Sequence, residues 1–292
     1  METSTYIIYN GSFKPAGAAH VSVRSRGLMY GDGCFDTFRS YSGRVLALDK
    51  HLSRLKEGIQ FLDMRYPDLL KPEPVRELLH RLLHKNKLLE KDAVLRIQVW
   101  REGGRGYQTE AGSPANFAIV ASEYKAEKPA DPVSLATVNI KRIPDQSLPS
   151  RYKLSNGINY ITAARQARMK GADDALMLTV NDAVSETTVA NLFWVKGRTI
   201  YTPSKACDLL PGITRELLLE ILGNSSSYNA EEGAYPLSDV LNAEAVWICN
   251  SVRELVPVKT IDHRSYPVSH PVFKDIEKEF TAYLNRNLSP LL

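Results

Sequence analysis

Apolar positions along this chain switch between a two-residue and a roughly 3.6-residue period, and the switches mark out its elements. The run at 6–9 (YIIY) predicts a strand, and the following Asn10-Gly11 is a hairpin turn signal. After a loop at 15–18, residues 20–48 predict short strands around a tight bend at Gly31-Asp32-Gly33. Alternation in CFDTFRSY puts Phe35, Thr37 and Arg39 on one face and Asp36, Phe38 and Ser40 on the other. Helical spacing then takes over at Leu52, Leu55, Ile59 and Leu62, with Asp49 as the expected cap. A second helix is predicted over about 74–89, with Val75, Leu78, Leu79 and Leu82 apolar and a basic, solvated outer face. Residues 93–100 alternate like a strand and run into a Gly-rich loop with Arg101, Arg105 and Tyr107, after which 117–122 closes a first domain.

The polar stretch 123–132, with two prolines, is the expected linker, dividing the chain into 1–122 and 133–292. Beyond it come a strand-like run from Val133, a polar turn holding Lys153, and a helix in which Ala163, Ala164 and Ala167 recur. Strand-like runs at 175–180 and 190–195 follow, with Glu186 in the turn region between them. Pro211-Gly212 opens another helix, 246–249 reads as a buried strand ending at Asn250-Ser251, and 270–288 as a closing amphipathic helix.

Composition changes this picture little. At 292 residues, with 43% hydrophobic and 24% charged, the chain is ordinary for a globular protein with ample core. A net charge of +4, with no basic run interleaved with aromatics, gives no reason to expect nucleic acid. Three widely spaced cysteines argue against a disulfide framework, and no metal is expected from six histidines of which His80 and His84 alone have a ligand-like spacing. With no secretory leader and no apolar run of membrane-spanning length, a soluble cytoplasmic protein is expected.

The candidate chemistry is a lysine and a carboxylate about thirty residues apart on different elements. An amine can form a Schiff base with an aldehyde, and a carboxylate can keep a pyridine nitrogen protonated so that the ring accepts electrons. Spacing alone favours a solvated lysine and a polar turn glutamate. The neighbouring residues change that balance. SETTVANLFWVKGRTIYTP (185–203) and LLPGITRELLLEIL (209–222) match the pattern E-x-x-x-x-N-[LV]-F followed by PG-[IV]-x-R, through Glu186, Asn191, Leu192, Phe193, Pro211, Gly212, Ile213 and Arg215. YGDGCFDTFRSYSG (30–43), ALDKHLSRL (47–55) and NSVRELVPV (250–258) follow the same pattern in order. With these five motifs the sequence resembles the class IV aminotransferases, the fold-type IV pyridoxal phosphate enzymes.

The resemblance implies an α+β chain with a smaller N-terminal α/β domain and a larger C-terminal pseudo-barrel domain, acting as a homodimer on small molecules. It implies Lys153 as the catalytic Schiff-base lysine and Glu186 at the pyridine nitrogen. Arg54, otherwise a solvated helix arginine, would fork onto the cofactor phosphate. Ile213, Thr214 and Ser251 would complete the phosphate site, the first two at a helix N-terminus. Tyr30, Phe35, Thr37, Arg39, Arg105, Tyr107 and Asn250 become substrate-pocket candidates, Arg105 and Tyr107 for a carboxylate.

GDGCF (31–35), GGRGY (103–107) and CNSVRELVPV (249–258) look more like the 4-amino-4-deoxychorismate lyases than the aminotransferases. LSNGINY after Lys153 replaces the AGGNY of branched-chain enzymes, and Arg105-Gly106-Tyr107 lacks the R-x-H of D-amino-acid enzymes. The lyase is therefore the leading expectation, with a D-amino-acid or branched-chain aminotransferase as the alternative. A non-catalytic binding protein is disfavoured because both Lys153 and Glu186 are present.

Overall fold

The Asn10-Gly11 turn forms as its sequence requires. Both residues are left-handed, at φ 48° and 82°, which matches the twist of the two strands they join, β1 (Tyr6–Tyr9) and β2 (Ser12–Pro15). This hairpin belongs to a computed structural model of the chain that describes residues 6–125 and 131–292. Residues 126–130, in the middle of the expected linker, lie outside the described residues.

The chain divides into two compact units. The first takes the described residues of Met1–Ala126 together with Tyr152–Asn156 and Asn287–Leu292. Its helices are α1 (Arg26–Tyr30), α2 (Leu48–Phe61) and α3 (Pro72–Lys85). Its further strands are β3 (Gly33–Tyr41), β4 (Arg44–Leu46), β5 (Met64–Arg65), β6 (Ala93–Arg101) and β7 (Ser113–Glu123), besides the terminal strand Leu288–Pro290. The sheet runs Leu288–Pro290, β4, β3, β6, β7, β1, β2, with β5 beside β7. One face, carrying Cys34, Phe38, Leu95, Ile97 and Val99, is buried with Leu52, Leu55 and Ile59 of α2 and Leu79 and Leu82 of α3. Full burial of each such leucine or isoleucine is worth about 1.5–3 kcal/mol. The expected alternation in β3 holds, with Asp36 falling on this core face.

Residues 26–30 form helix α1 where short strands were expected, and three of the element limits that differ from the sequence expectation have a clear cause. Asp49 does not cap α2. The helix begins one residue earlier, at buried Leu48 behind a left-handed Ala47, and Asp49 lies in the first turn where it pairs with Arg76. Burial of Leu48 pulls the start back. Helix α3 covers 72–85 rather than 74–89, because Pro72 suits a first helical position and Lys87, at φ 57°, cannot continue it. Strand β7 starts at Ser113, four residues early, since Ala115 and Asn116 pair with Arg101 and Trp100 of β6.

The second unit takes the described residues of Glu127–Arg151 and Gly157–Arg286. Its strands are β8 (Val133–Thr137), β9 (Asp174–Leu178), β10 (Val184–Thr187), β11 (Asn191–Lys196), β12 (Thr199–Pro203), β13 (Asn229–Gly233), β14 (Ala245–Asn250), β15 (Glu254–Ile261) and β16 (Arg264–Ser265). They form a mixed sheet in the order β10, β9, β8, β15, β14, β11, β12, β13, with β16 on β15. Helices α4 (Ile158–Met169), α5 (Ile213–Gly223), α6 (Leu237–Leu241) and α7 (Pro271–Asn287) pack around it. Ala163 and Ala167 of α4 are fully buried against Ala136, Ala175 and Met177, where their small side chains admit close approach of helix and sheet. Among the described residues, no helix is long and apolar enough to cross a membrane and no group of acidic, His or Cys side chains could hold a metal.

Candidate active site

Lys153 sits at the centre of a tight turn, Leu154 N–H donating to Tyr152 O at 3.0 Å, and the turn is pinned to the start of β3: Phe35 N–H donates to Lys153 O at 3.0 Å, Ser155 N–H to Gly33 O at 2.9 Å, and Leu154 bridges Cys34. A lysine whose turn is hydrogen-bonded to a strand is held more rigidly than one in a free loop. Its Nζ lies 4.7 Å from the centroid of the Phe35 ring, a side chain on the face of β3 away from the core. The same face carries Arg96, whose guanidinium stacks 3.6 Å from the Phe35 centroid and donates to Gln98 Oε1. Gln98 in turn donates to Ser155 Oγ at 2.8 Å. Thr37 stands opposite Arg96 in register, and its hydroxyl is buried with no hydrogen-bond partner among the described residues. Thr37 thus adds a buried, unpaired hydroxyl to the face that carries Phe35 and Arg96.

On the core face beneath, Arg54 forks Nε and Nη2 onto the two oxygens of Asp36, both at 2.9 Å. His51 Nδ1 meets Asp36 Oδ1 at 2.8 Å. Burial opposes ionisation of Asp36, but Arg54 and His51 outweigh it and hold the carboxyl well below the usual range. Burial also lowers the His51 pKa against the pull of Asp36, with Arg54 and Lys153 adding to the lowering. The neutral ring therefore donates its Nδ1 proton to the carboxylate. With its side chain 12% exposed, Arg54 is an oriented arginine rather than a solvated one.

The other substrate candidates in this unit differ in what they engage. Tyr107 is 90% exposed and lies against Tyr30, ring centroids 5.6 Å apart, on the loop that also bears exposed Arg105. Arg39 pairs with Asp92 and is sandwiched between the Tyr41 and Tyr124 rings, 4.4 Å from each. Those partners occupy it, although it shares a face with Phe35 and Thr37.

Within the second unit the centre is Glu186, which lies in strand β10 and not in a turn. Val184 N–H donates to Tyr235 O and the strand pairs with β9, contacts distant in sequence that a local reading does not contain. The Tyr160 hydroxyl donates to Glu186 Oε1 at 2.9 Å and Arg142 Nε approaches the same oxygen at 3.2 Å. Oε2 takes longer contacts from Leu210 N–H at 3.2 Å and Asn191 Nδ2 at 3.4 Å. Burial, then the Glu186 charge, push the Tyr160 phenol well above its ordinary pKa, so it stays a donor.

Asn191 ties this acid to the next element. Its Nδ2 donates to Leu210 O and its Oδ1 accepts from Gly212 N–H. A Cβ on Gly212 would come within 2.2 Å of Asn191 Oδ1, so only glycine fits at the head of α5. Ile213 and Thr214 open that helix, and Thr214 Oγ1 lies 3.3 Å from Ser251 Oγ. Two hydroxyls beside the N–H groups of a helix start make a donor set suited to a phosphate. Asn250 caps its own turn, its Oδ1 accepting from Val252 and Arg253 N–H and its Nδ2 donating to Val189 O.

These residues fit pyridoxal phosphate. Taken unit by unit, the first offers an amine on a fixed backbone, and the second a buried carboxylate and a two-hydroxyl helix start, each a group of the kind this cofactor takes. Sequence reasoning passed over Asp36, His51, Arg96, Arg142 and Tyr160. A charged residue on the core face of an alternating strand was the available signal for Asp36, since such a group must be paired.

Residues 33–261 match the family described as Amino-transferase class IV. A putative branched-chain-amino-acid aminotransferase of Methanocaldococcus jannaschii is 33% identical over 88% of this chain and 88% of its own length. The aminodeoxychorismate lyase of Bacillus subtilis is 29% identical over 89% of this chain and 88% of its own. The crystal structure of the branched-chain aminotransferase of Thermoproteus uzoniensis with norvaline superposes with a TM-score of 0.89 at 25% identity, covering 99% of this chain and 100% of that one. The α+β architecture is thus that of fold type IV, and the chain belongs to the class IV aminotransferases, a family of pyridoxal-phosphate-dependent enzymes.

Proposed function

We propose that this enzyme is a 4-amino-4-deoxychorismate lyase, eliminating pyruvate to leave 4-aminobenzoate. The observation that carries a catalytic reading is the mounting of Lys153 on β3 beside Phe35, Arg96 and the orphan Thr37 hydroxyl. Pyridoxal phosphate, when bound, supplies an electron sink for the bond broken at the substrate α-carbon. The Lys153 amine would hold the cofactor and would serve as the base that takes the proton from the substrate α-carbon and as the acid that gives it back. Glu186, oriented by Tyr160, Arg142, Asn191 and Leu210, holds the proton at the pyridine nitrogen. Arg54, Thr214, Ser251 and the backbone of Ile213 bind the phosphate, with Arg54 held at a fixed angle by Asp36. Arg96, Arg105 and Tyr107 bind the substrate's carboxylates, the first from the floor at Phe35 and the others from the loop.

The lyase reading is supported by the GDGCF, GGRGY and CNSVRELVPV segments and by the Bacillus subtilis relative. A branched-chain aminotransferase is the second reading, favoured by the higher identity of the Methanocaldococcus jannaschii relative. We also infer a homodimer, for which exposed Ile158 (70%), Ile161 and Met169 (79%) along one side of α4 supply an apolar contact stripe.

The test is an absorbance spectrum of the purified enzyme with separate additions of aminodeoxychorismate, L-leucine, L-glutamate and D-alanine. Pyruvate and 4-aminobenzoate from aminodeoxychorismate, with the visible band persisting, is the expected result. Bleaching to a pyridoxamine-like band with an amino acid, and no pyruvate from aminodeoxychorismate, makes the enzyme an aminotransferase instead.

A further inference from the structure

The loop at 102–112 has no reason of its own to hold one shape. Gly103, Gly104, Gly106 and Gly112 all have positive φ, between 63° and 87°, and ordering so permissive a backbone costs about 1–2 kcal/mol per residue. The structure holds it from beneath with two arginines. Arg26 Nη1 donates to Gly106 O at 2.7 Å, near the tip, and Arg101 Nη1 to Glu110 O at 3.3 Å, on the returning limb. Gly106 N–H donates to the Tyr30 hydroxyl at 3.1 Å, and Tyr30 packs between the Arg26 guanidinium and the Tyr107 ring.

Both arginines are balanced by one group. Arg26 Nε and Arg101 Nε reach the same oxygen, Asp32 Oδ2, at 2.7 and 3.0 Å. The three side chains are 5%, 4% and 11% exposed, so two buried cations share a single buried anion. Removing that anion leaves two desolvated guanidiniums facing each other, and their interaction is repulsive without it. Arg101 keeps further anchors in the Ser113 hydroxyl and Leu62 O, whereas the Arg26 hold on Gly106 depends on its orientation by Asp32.

We propose that Asp32 is a positioning residue for substrate binding: shared by Arg26 and Arg101, it clasps the 102–112 loop in one posture and so sets where Arg105 and Tyr107 meet the substrate. The inference rests on the reading of those two loop residues as substrate contacts. Its signature is a split in the kinetics. Loosening the loop weakens capture of the substrate but leaves the lysine, the acid and the phosphate site as they were.

The experiment compares Asp32→Asn, Arg26→Lys and Arg105→Ala holoenzymes by steady-state kinetics on the accepted substrate, with hydrogen exchange followed over 102–112. Asp32→Asn keeps size and one acceptor but removes the charge. It is expected to raise KM about tenfold, to change kcat by less than about threefold and to speed loop exchange with the cofactor band unchanged. Arg26→Lys, which keeps the charge but cannot reach Asp32 and Gly106 together, shows the same changes to a smaller degree and serves if Asp32→Asn does not fold. Wild-type loop exchange or wild-type KM in the folded variants overturns the proposal. Arg105→Ala separates the two layers: it should raise KM with loop exchange unchanged. If Arg105→Ala leaves KM alone while Asp32→Asn loosens the loop, the loop is not a substrate contact and the proposed role falls with that reading.

Discussion

Asp36 and Glu186 are both buried carboxylates facing a buried arginine, one in each unit, yet they are built for different work. Asp36 accepts a forked pair of 2.9 Å bonds from Arg54 and a 2.8 Å contact from His51, all charge-assisted and short. Glu186 takes the Tyr160 phenol at 2.9 Å and Arg142 Nε at 3.2 Å on one oxygen, while Leu210 and Asn191 sit at 3.2 and 3.4 Å on the other. The first carboxylate is committed to the protein's own side chains. The second has neutral donors at longer range on one oxygen, the side on which the proposed pyridinium N–H would bind. Burial and an arginine neighbour therefore do not distinguish a supporting acid from a chemical one; the strength and exchangeability of the contacts do.

Substitution should break this contrast cleanly. Asp36→Ala leaves Arg54 and His51 buried without their anion, and a loss of about 3–5 kcal/mol in urea unfolding is expected. A loss below about 1 kcal/mol would mean the cluster is not the brace described. Glu186→Gln should do the reverse: a fall in kcat on the order of 10²–10³, with about 1–2 kcal/mol of stability lost because Arg142 retains Asp208 O and Asn159 Oδ1. Near-normal turnover in Glu186→Gln would remove it from the pyridine nitrogen.

Acid sharpens the same comparison at smaller scale. The folded-state pKa of His51 lies below its ordinary value near 6.5, chiefly through burial, so as pH falls the unfolded chain takes up this proton first. The stability His51 contributes is complete above about pH 6.5 and declines below it, by at most about 1.4 kcal/mol per pH unit. Asp36, depressed by Arg54 and His51, adds a second decline below its ordinary value of about 3.9. Thermal unfolding from pH 7.5 to 5 should show the first decline, and His51→Gln should flatten it. The smallest effect belongs to the helix start: Thr214→Ala or Ser251→Ala should weaken cofactor binding about tenfold or less, read by titration of the visible band, with apo stability within about 0.5 kcal/mol.

What the sequence showed and what it hid follow from the range of the contacts. The hairpin at Asn10-Gly11, the faces of β3, the Ala-lined α4 and the Gly212 helix start are local patterns, and each appears in the structure. Lys153 and Glu186 were recognisable by residue type and motif, but not their settings. The turn at Lys153 is fixed because β3, more than a hundred residues earlier, bonds to it, and Glu186 is in a strand because β9 and Tyr235 lie on either side. The polar run NDAVSETT holds no apolar period from which to read that strand. Asp49 resembled a cap because Asp commonly is one, and the burial of Leu48 decided otherwise. Arg96 and Tyr160 were invisible for a simpler reason: an arginine in a strand and a tyrosine in a helix carry no local signal of what stands opposite them.

Lys153, bonded through its turn to β3, is the proposed covalent anchor for the cofactor. Borohydride reduction of the holoenzyme followed by peptide mass mapping tests it directly. A phosphopyridoxyl mass on the peptide containing Lys153, absent from Lys153→Ala treated in the same way, is the predicted result. The same mass on another lysine, or Lys153→Ala retaining full turnover, would contradict it.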